Sequence, residues 1–285
     1  MNNCHFIPRL FALLLLAGAA AGCGFSEEND PTPRAYNLNK PDKFSMPESL
    51  LEISGIAFNK AKGDTVYAIQ DEEGKLFRLA WDIPKQYNAR FSKHGDYEDV
   101  SIINDKVIVL KSNGHLYSFA LSNATKEDAD NVQEWKNLLP PGEYEGLYGD
   151  EATDQLYVLC KNCDADDAQK QVTGYIFKFA DSIHQLSTFE IDVSGIPAIK
   201  AKKSFRPSAL AKNPLTNEWY IVSAVNKLLV ITDSNWKVKE TYPLNSNTFN
   251  QPEGIAFDKA GNLYISNEGD DLVKGNILLF RRLNP

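Results

Sequence analysis

The sequence predicts an all-β fold, a five-bladed β-propeller, on three observations. A short phrase recurs five times, as EISGIAF (52–58), DYEDVSI (96–102), EYEGLYG (143–149), RPSALAK (206–212) and QPEGIAF (251–257). Every copy is followed by two further runs rich in β-branched and aromatic residues, TVYAIQ then KLFRLA in the first unit and NLYISNE then NILLFR in the last. The copies stand about 45 residues apart, with one gap of about 63, and a unit of that size matches a four-stranded blade that buries its faces only by stacking on its neighbours.

Taken in chain order, the first element is not part of the fold. Arg9 precedes the apolar run LFALLLLAGAAAG, and Ala20, Ala21 and Gly22 stand directly before Cys23. This reads as a secretory signal over residues 1–22, and the run is too short for a permanent membrane span. Its end resembles a bacterial lipobox, which makes Cys23 the expected site of lipidation. Residues 23–34 then form a polar tether, in which Glu27 and Glu28 resemble the export tag of some surface lipoproteins. The expected location is the bacterial cell envelope, anchored by lipid at the outer membrane, with the periplasmic or surface face left open.

Residues 35–285 carry the propeller. Fourth strands are readable as QYNARF, STFEIDV and VKETYPL, but the last repeat ends after its third strand near Leu283. Its exposed edge needs a partner. The run AYNL (35–38) precedes the first repeat and is expected to supply that strand, closing the ring. The long third gap permits a six-bladed alternative, although the loops KNCDADDAQKQVTG (161–174) and SGIPAIKAKKSF (194–205) absorb the excess and neither holds three strands.

Charge and cysteines narrow the functions. The chain has 30 basic and 38 acidic residues, a net charge of −8, which argues against a nucleic-acid partner. A monomer is expected. With Cys4 in the signal and Cys23 lipidated, Cys160 and Cys163 remain, spaced for a local disulfide in an oxidising compartment. His94, His115 and His184 are scattered, no G-x-S-x-G turn occurs, and DADD (164–167) lacks the EF-hand spacing.

The matched third position of each phrase holds Ser54, Glu98, Glu145, Ser208 or Glu253. In an antiparallel blade these residues lie at one mouth of the central channel. The ends of the second strands add Asp71, Asn113, Asn226, Asn267 and Glu268 to that face, with Asp99 beside Glu98. Carboxylates about 6 Å apart repel by roughly 3 kcal/mol per pair at an effective dielectric near 20. Protonation, a basic neighbour or a bound cation must relieve this. Oxygen donors without His or Cys favour Ca²⁺, so Glu98, Glu145 and Glu253 are the expected metal ligands, near the axis. The alternative is that they accept backbone N–H bonds from the next blade and set blade spacing.

EISGIAF, YEDVSI, EYEGLYG, RPSALAKNP and QPEGIAFDKAGNLYISNE, in that order over residues 50–283, resemble the SdiA-regulated (YjiK-like) family of bacterial propellers, with phrases also similar to NHL repeats. The resemblance implies a five-bladed propeller and a calcium site, and no established biochemical role. Two functions follow as expectations. One is a calcium-holding envelope module that binds a protein, glycan or small-molecule partner. The other is a calcium-dependent hydrolase of phosphate esters (phytase-like) or lactones, with Lys111, Lys161, Lys227 and Arg206 available to a phosphate and Asp71, Asp99 or Glu268 as the candidate base.

Overall fold

Among the described residues the alternating runs form twenty strands in five antiparallel sheets of four. The computed structural model describes Met1 and residues 30–81, 86–164, 166–167, 169–180, 182–200 and 204–283. The expected signal peptide, Cys23 and most of the tether lie outside the described residues.

Blade 1 consists of β2 (Ile53–Ala57), β3 (Thr65–Gln70), β4 (Lys75–Ala80) and β5 (Tyr87–Arg90). Blade 2 holds β6 (Tyr97–Ile103), β7 (Lys106–Lys111), β8 (Leu116–Ala120) and β9 (Gln133–Trp135). Blade 3 holds the long strands β10 (Gly142–Asp150), β11 (Gln155–Cys163), β12 (Gln171–Phe179) and β13 (Ile183–Asp192). Blade 4 holds β14 (Ala209–Lys212), β15 (Trp219–Ser223), β16 (Leu228–Thr232) and β17 (Val238–Pro243). Blade 5 holds β18 (Pro252–Phe257), β19 (Leu263–Asn267) and β20 (Asn276–Phe280), and β1 (Asp42–Ser45) completes it. The five-bladed expectation holds, and the six-bladed alternative does not. The long gap is taken up by the lengthened hairpins of blade 3 and by a connection carrying the short helix α1 (Pro197–Lys200).

The closing strand differs from the expectation. Asp42–Ser45 pairs with β20, from Asp42 opposite Leu279 to Ser45 opposite Asn276, whereas residues 35–38 form no strand. Tyr36 and Leu38 are instead buried between blades 4 and 5. The Tyr36 hydroxyl donates to Gly261 O at 2.7 Å and accepts from Asn213 Nδ2 at 3.0 Å. Burying the ring needs partners for its hydroxyl, and this seam provides both; a sheet edge facing solvent does not. The polar segment DKFS, exposed at three of four positions, suits that edge.

Each blade buries its faces against its neighbours, giving five apolar clusters, one per seam. Between blades 3 and 4, Trp236 stacks on Phe189 and Trp219 at ring-centroid distances of 3.6 and 4.4 Å. Each such large side chain contributes roughly 2–3 kcal/mol by burial. The blades also bond directly across seams. Ser266 Oγ donates to Ser54 O at 2.6 Å, and Gly149 N donates to Ser101 Oγ at 2.8 Å.

Candidate functional site

Glu98, Glu145 and Glu253 share a local structure that explains why they stand out of the blade. Tyr97 lies opposite Lys111 and Asp99 opposite Leu110, which leaves Glu98 without a cross-strand partner. In the same way Glu145 is passed over between Tyr144–Cys160 and Gly146–Leu159, and Glu253 between Pro252–Asn267 and Gly254–Ser266. Each glutamate is the extra residue of a β-bulge, a device that bends the strand and re-aims one side chain. Blade 1 has the same irregularity between Ile53 and Ile56, where Ser54 and Gly55 stand. In blade 4 the N–H of Ser208 reaches Val222 O, although Val222 already faces Ala209. The repeat therefore encodes a bulge at the mouth of every blade.

The glycine after the bulge follows from the same geometry. A side chain at Gly254 would sit 2.5 Å from Ser54 O, and one at Gly55 would sit 2.6 Å from the Asp99 backbone. Blade 2 carries Asp99 at this position instead of glycine. Asp99 is 3 % exposed, and its carboxylate accepts from Val100 N at 2.8 Å and from Leu147 N of blade 3 at 2.7 Å. Both oxygens are occupied, so Asp99 fastens a seam and is not a free base. Burial holds its carboxyl well above the ordinary range despite the two N–H donors.

Lys161 reaches the buried Glu145 and forms an ion pair with it. It too is an extra residue, since Cys160 faces Tyr144 while Asn162 faces Glu143. Two bulges on facing strands thus bring the glutamate and the lysine together. The Lys161 ammonium also acts on Glu98 and Glu253. Burial pushes the Glu98 carboxyl up to about 8, with Asp96 and Glu253 raising it and Lys161 opposing them. Glu253 is likewise raised by burial, against a hydrogen bond with Ser208 and the charges of Lys161 and Lys227. On blade 5, burial and then Glu253 and Asp71 lift Glu268 to about 8. Asp71, lifted by burial, Glu52 and Glu72, stands at about 6.

The mouth is therefore asymmetric. Glu52, Asp71, Asp96, Glu98, Glu253 and Glu268 act on one another across blades 5, 1 and 2. Lys161 of blade 3 and Lys227 of blade 4 stand beside them, the latter donating to Asn250 O. Other candidates are used structurally. Asn226 accepts from Arg206 N at 3.0 Å and donates to Ser204 O at 3.0 Å, and Asn113 is an exposed turn residue accepting from His115 N at 3.2 Å. Ser208 Oγ accepts from Ala224 N at 3.2 Å, and Lys111 Nζ lies 6.0 Å from the Tyr97 ring centroid.

Three acceptor oxygens on this face are buried without a hydrogen-bond partner: Glu145 Oε2, Asp71 Oδ1 and Asn267 Oδ1. Such oxygens suit a hard cation, so the residues present fit Ca²⁺ in donor type. Among the described residues, one trio of metal-ligating atoms lies mutually within 4.8 Å, formed by Cys160, Cys163 and Asp166; the three glutamates are more widely spaced. Cys160 and Cys163 are joined as a disulfide.

The sequence did not reveal Lys161 as the partner of Glu145. The signal was present in C-K-N-C, a lysine enclosed by two cysteines, but only the register shows which way it points. At the channel's other end lies a cavity of about 260 Å³ lined by Ile56, Val100, Leu147, Leu210 and Ile255, one from each blade and each two residues beyond the bulge position. No helix among the described residues is long and apolar enough to cross a membrane.

Among solved structures, the chain is similar to a glutaminyl cyclase of Myxococcus xanthus, at 12% identity and TM-score 0.56 over 85% of this chain and 96% of that one. It is also similar to a luciferin-regenerating enzyme, at 10% identity and TM-score 0.54 over 86% and 96%. At these identities the likeness extends to the fold alone. No curated protein matches. The SdiA-regulated family profile matches residues 42–272, which run from the closing strand β1 to just before β20 and include every bulge glutamate, and the chain belongs to that family.

Proposed function

We propose that this chain is a lipid-anchored cell-envelope propeller that holds Ca²⁺ at its glutamate-bearing mouth and presents that face to a partner. The observation that carries the reading is the set of buried, unpartnered acceptors Glu145 Oε2, Asp71 Oδ1 and Asn267 Oδ1 beside carboxylates that raise one another's pKa. A divalent cation would satisfy those oxygens and neutralise the acidic side. Glu253, Glu268 and Glu98 would join Glu145 in holding it, with Ser54 and Ser208 behind them. The polar, asymmetric mouth suits recognition of a protein, glycan or small molecule, and a monomer suffices for this. Calorimetric titration of the purified protein with CaCl₂, against a Glu145→Gln/Glu253→Gln variant, tests the reading. Saturable heat lost in the variant supports it, and equal heats reject it.

One observation favours a second reading, a hydrolase of phosphate esters or lactones. Asp71, at about 6, is suited to proton transfer near neutral pH, and one of its oxygens is unpartnered. Bound calcium would supply Lewis acidity. Assays of p-nitrophenyl phosphate, phytate and simple lactones separate the two readings: turnover lost in Asp71→Asn favours the hydrolase, and no turnover above that variant removes it.

A further inference from the structure

We propose that Lys161 is a tethered ammonium that competes with a divalent cation for the mouth carboxylates, and that the Cys160–Cys163 disulfide holds it in place. The inference rests on the calcium reading above and adds a regulator to that site. Lys161 is paired with Glu145, and its charge reaches Glu98 and Glu253 as well. It therefore bears on the same three carboxylates that a cation would use. Because one oxygen of Glu145 is paired while Oε2 is buried and empty-handed, the lysine leaves the site half satisfied. A divalent ion offers two charges and several coordination positions in place of one ammonium.

The disulfide controls where that ammonium can go. It spans Cys160 to Cys163 and encloses only Lys161 and Asn162, so the bulge that aims Lys161 lies inside a closed covalent ring. The ring is seated on blade 3, because a Cβ at Gly142 would lie 2.6 Å from Cys163 Sγ. Opening the ring frees the backbone at Lys161 and lowers the effective concentration of the ammonium at Glu145. The step needs a dithiol reductant. One reductant thiolate attacks a sulfur of the bridge and breaks the S–S bond, then the second reductant thiol displaces the mixed disulfide. The reductant leaves as a disulfide, and Cys160 and Cys163, having gained two electrons and two protons, are left as thiols. The mouth then binds its cation more tightly in the reduced protein.

The test is calorimetric titration with CaCl₂, a hard ion that the freed thiols do not prefer. It compares wild type, Lys161→Met, Lys161→Gln and Cys160→Ser/Cys163→Ser, each with and without dithiothreitol, with circular dichroism to verify folding. Removing the lysine charge is expected to raise calcium affinity about tenfold, given Coulomb energies of that order at such separations. Reduction raises wild-type affinity severalfold, the serine pair matches reduced wild type, and neither lysine variant responds to reduction. If wild type binds calcium but the lysine variants bind no tighter, the competition is overturned while the calcium reading stands. If reduction acts equally in the lysine variants, the disulfide's role is overturned. If no variant binds calcium, both this inference and the reading beneath it fail.

Discussion

Asp99 Oδ2 accepts the N–H of Leu147 at 2.7 Å, so a carboxylate of blade 2 replaces a backbone acceptor for blade 3 at the wall of the channel. Asp99→Ala leaves that N–H and the N–H of Val100 without their acceptor in a buried seam. The expected cost is about 2–3 kcal/mol of unfolding free energy, measured by urea denaturation. Asp99→Leu should cost at least as much, since bulk without an acceptor does not help. A loss below 0.5 kcal/mol, within the ordinary range of surface substitutions, counts against the seam role.

Gly254 and Gly55 set how closely the inner strands of blades 5 and 1 approach. In Gly254→Ala the new methyl would meet Ser266 Oγ and Ser54 O, and the latter is backbone that cannot step aside. Overpacking of this kind typically costs about 1–3 kcal/mol. Thermal unfolding of Gly254→Ala beside Gly195→Ala, where nothing lies within 4 Å, should show the midpoint falling only in the first.

Stability should depend on pH in a direction set by the mouth carboxylates. Glu98 and Glu268 stand at about 8 in the folded chain, above the ordinary 4.5. The folded state therefore holds more protons than the unfolded one between those values, and stability falls as pH rises through that window. In the presence of chelator, the melting temperature should decline from pH 5 to pH 8. Excess calcium, which binds the ionised folded form, should flatten the decline. A melting temperature that rises across the window in chelator contradicts the assignment.

Tyr36 should matter more than its place before the first strand suggests. Tyr36→Phe removes the acceptor of Asn213 Nδ2 and the donor to Gly261 O, at about 1–2 kcal/mol. Tyr36→Ala also empties the seam between blades 4 and 5 and should cost about 3–5 kcal/mol. Equal effects from the two would mean that the ring's burial contributes little.

Much of the architecture was legible because repetition is local information. Five copies of one phrase, each followed by strand-period runs, dictate five blades, since a single blade cannot bury both faces. The closing strand was not legible. AYNL and DKFS both precede the first repeat, and the choice between them rests on whether the seam between blades 4 and 5 has a slot for Tyr36, which no local pattern records. The glutamates were legible as a set, because the repeat aligns them.

The amino-acid order by itself determined that acidic side chains recur at one end of three of the five blades, and that like charges held there need relief. Only the tertiary structure decided how relief is arranged. Whether a strand skips one residue against its neighbour is a property of pairing between segments, and that skip turns Glu145 and Lys161 toward each other while Asp99 is spent on a seam. Side-chain direction alternates at each residue of a strand, so a single unpaired position reverses it. That reversal is invisible until both strands are in place.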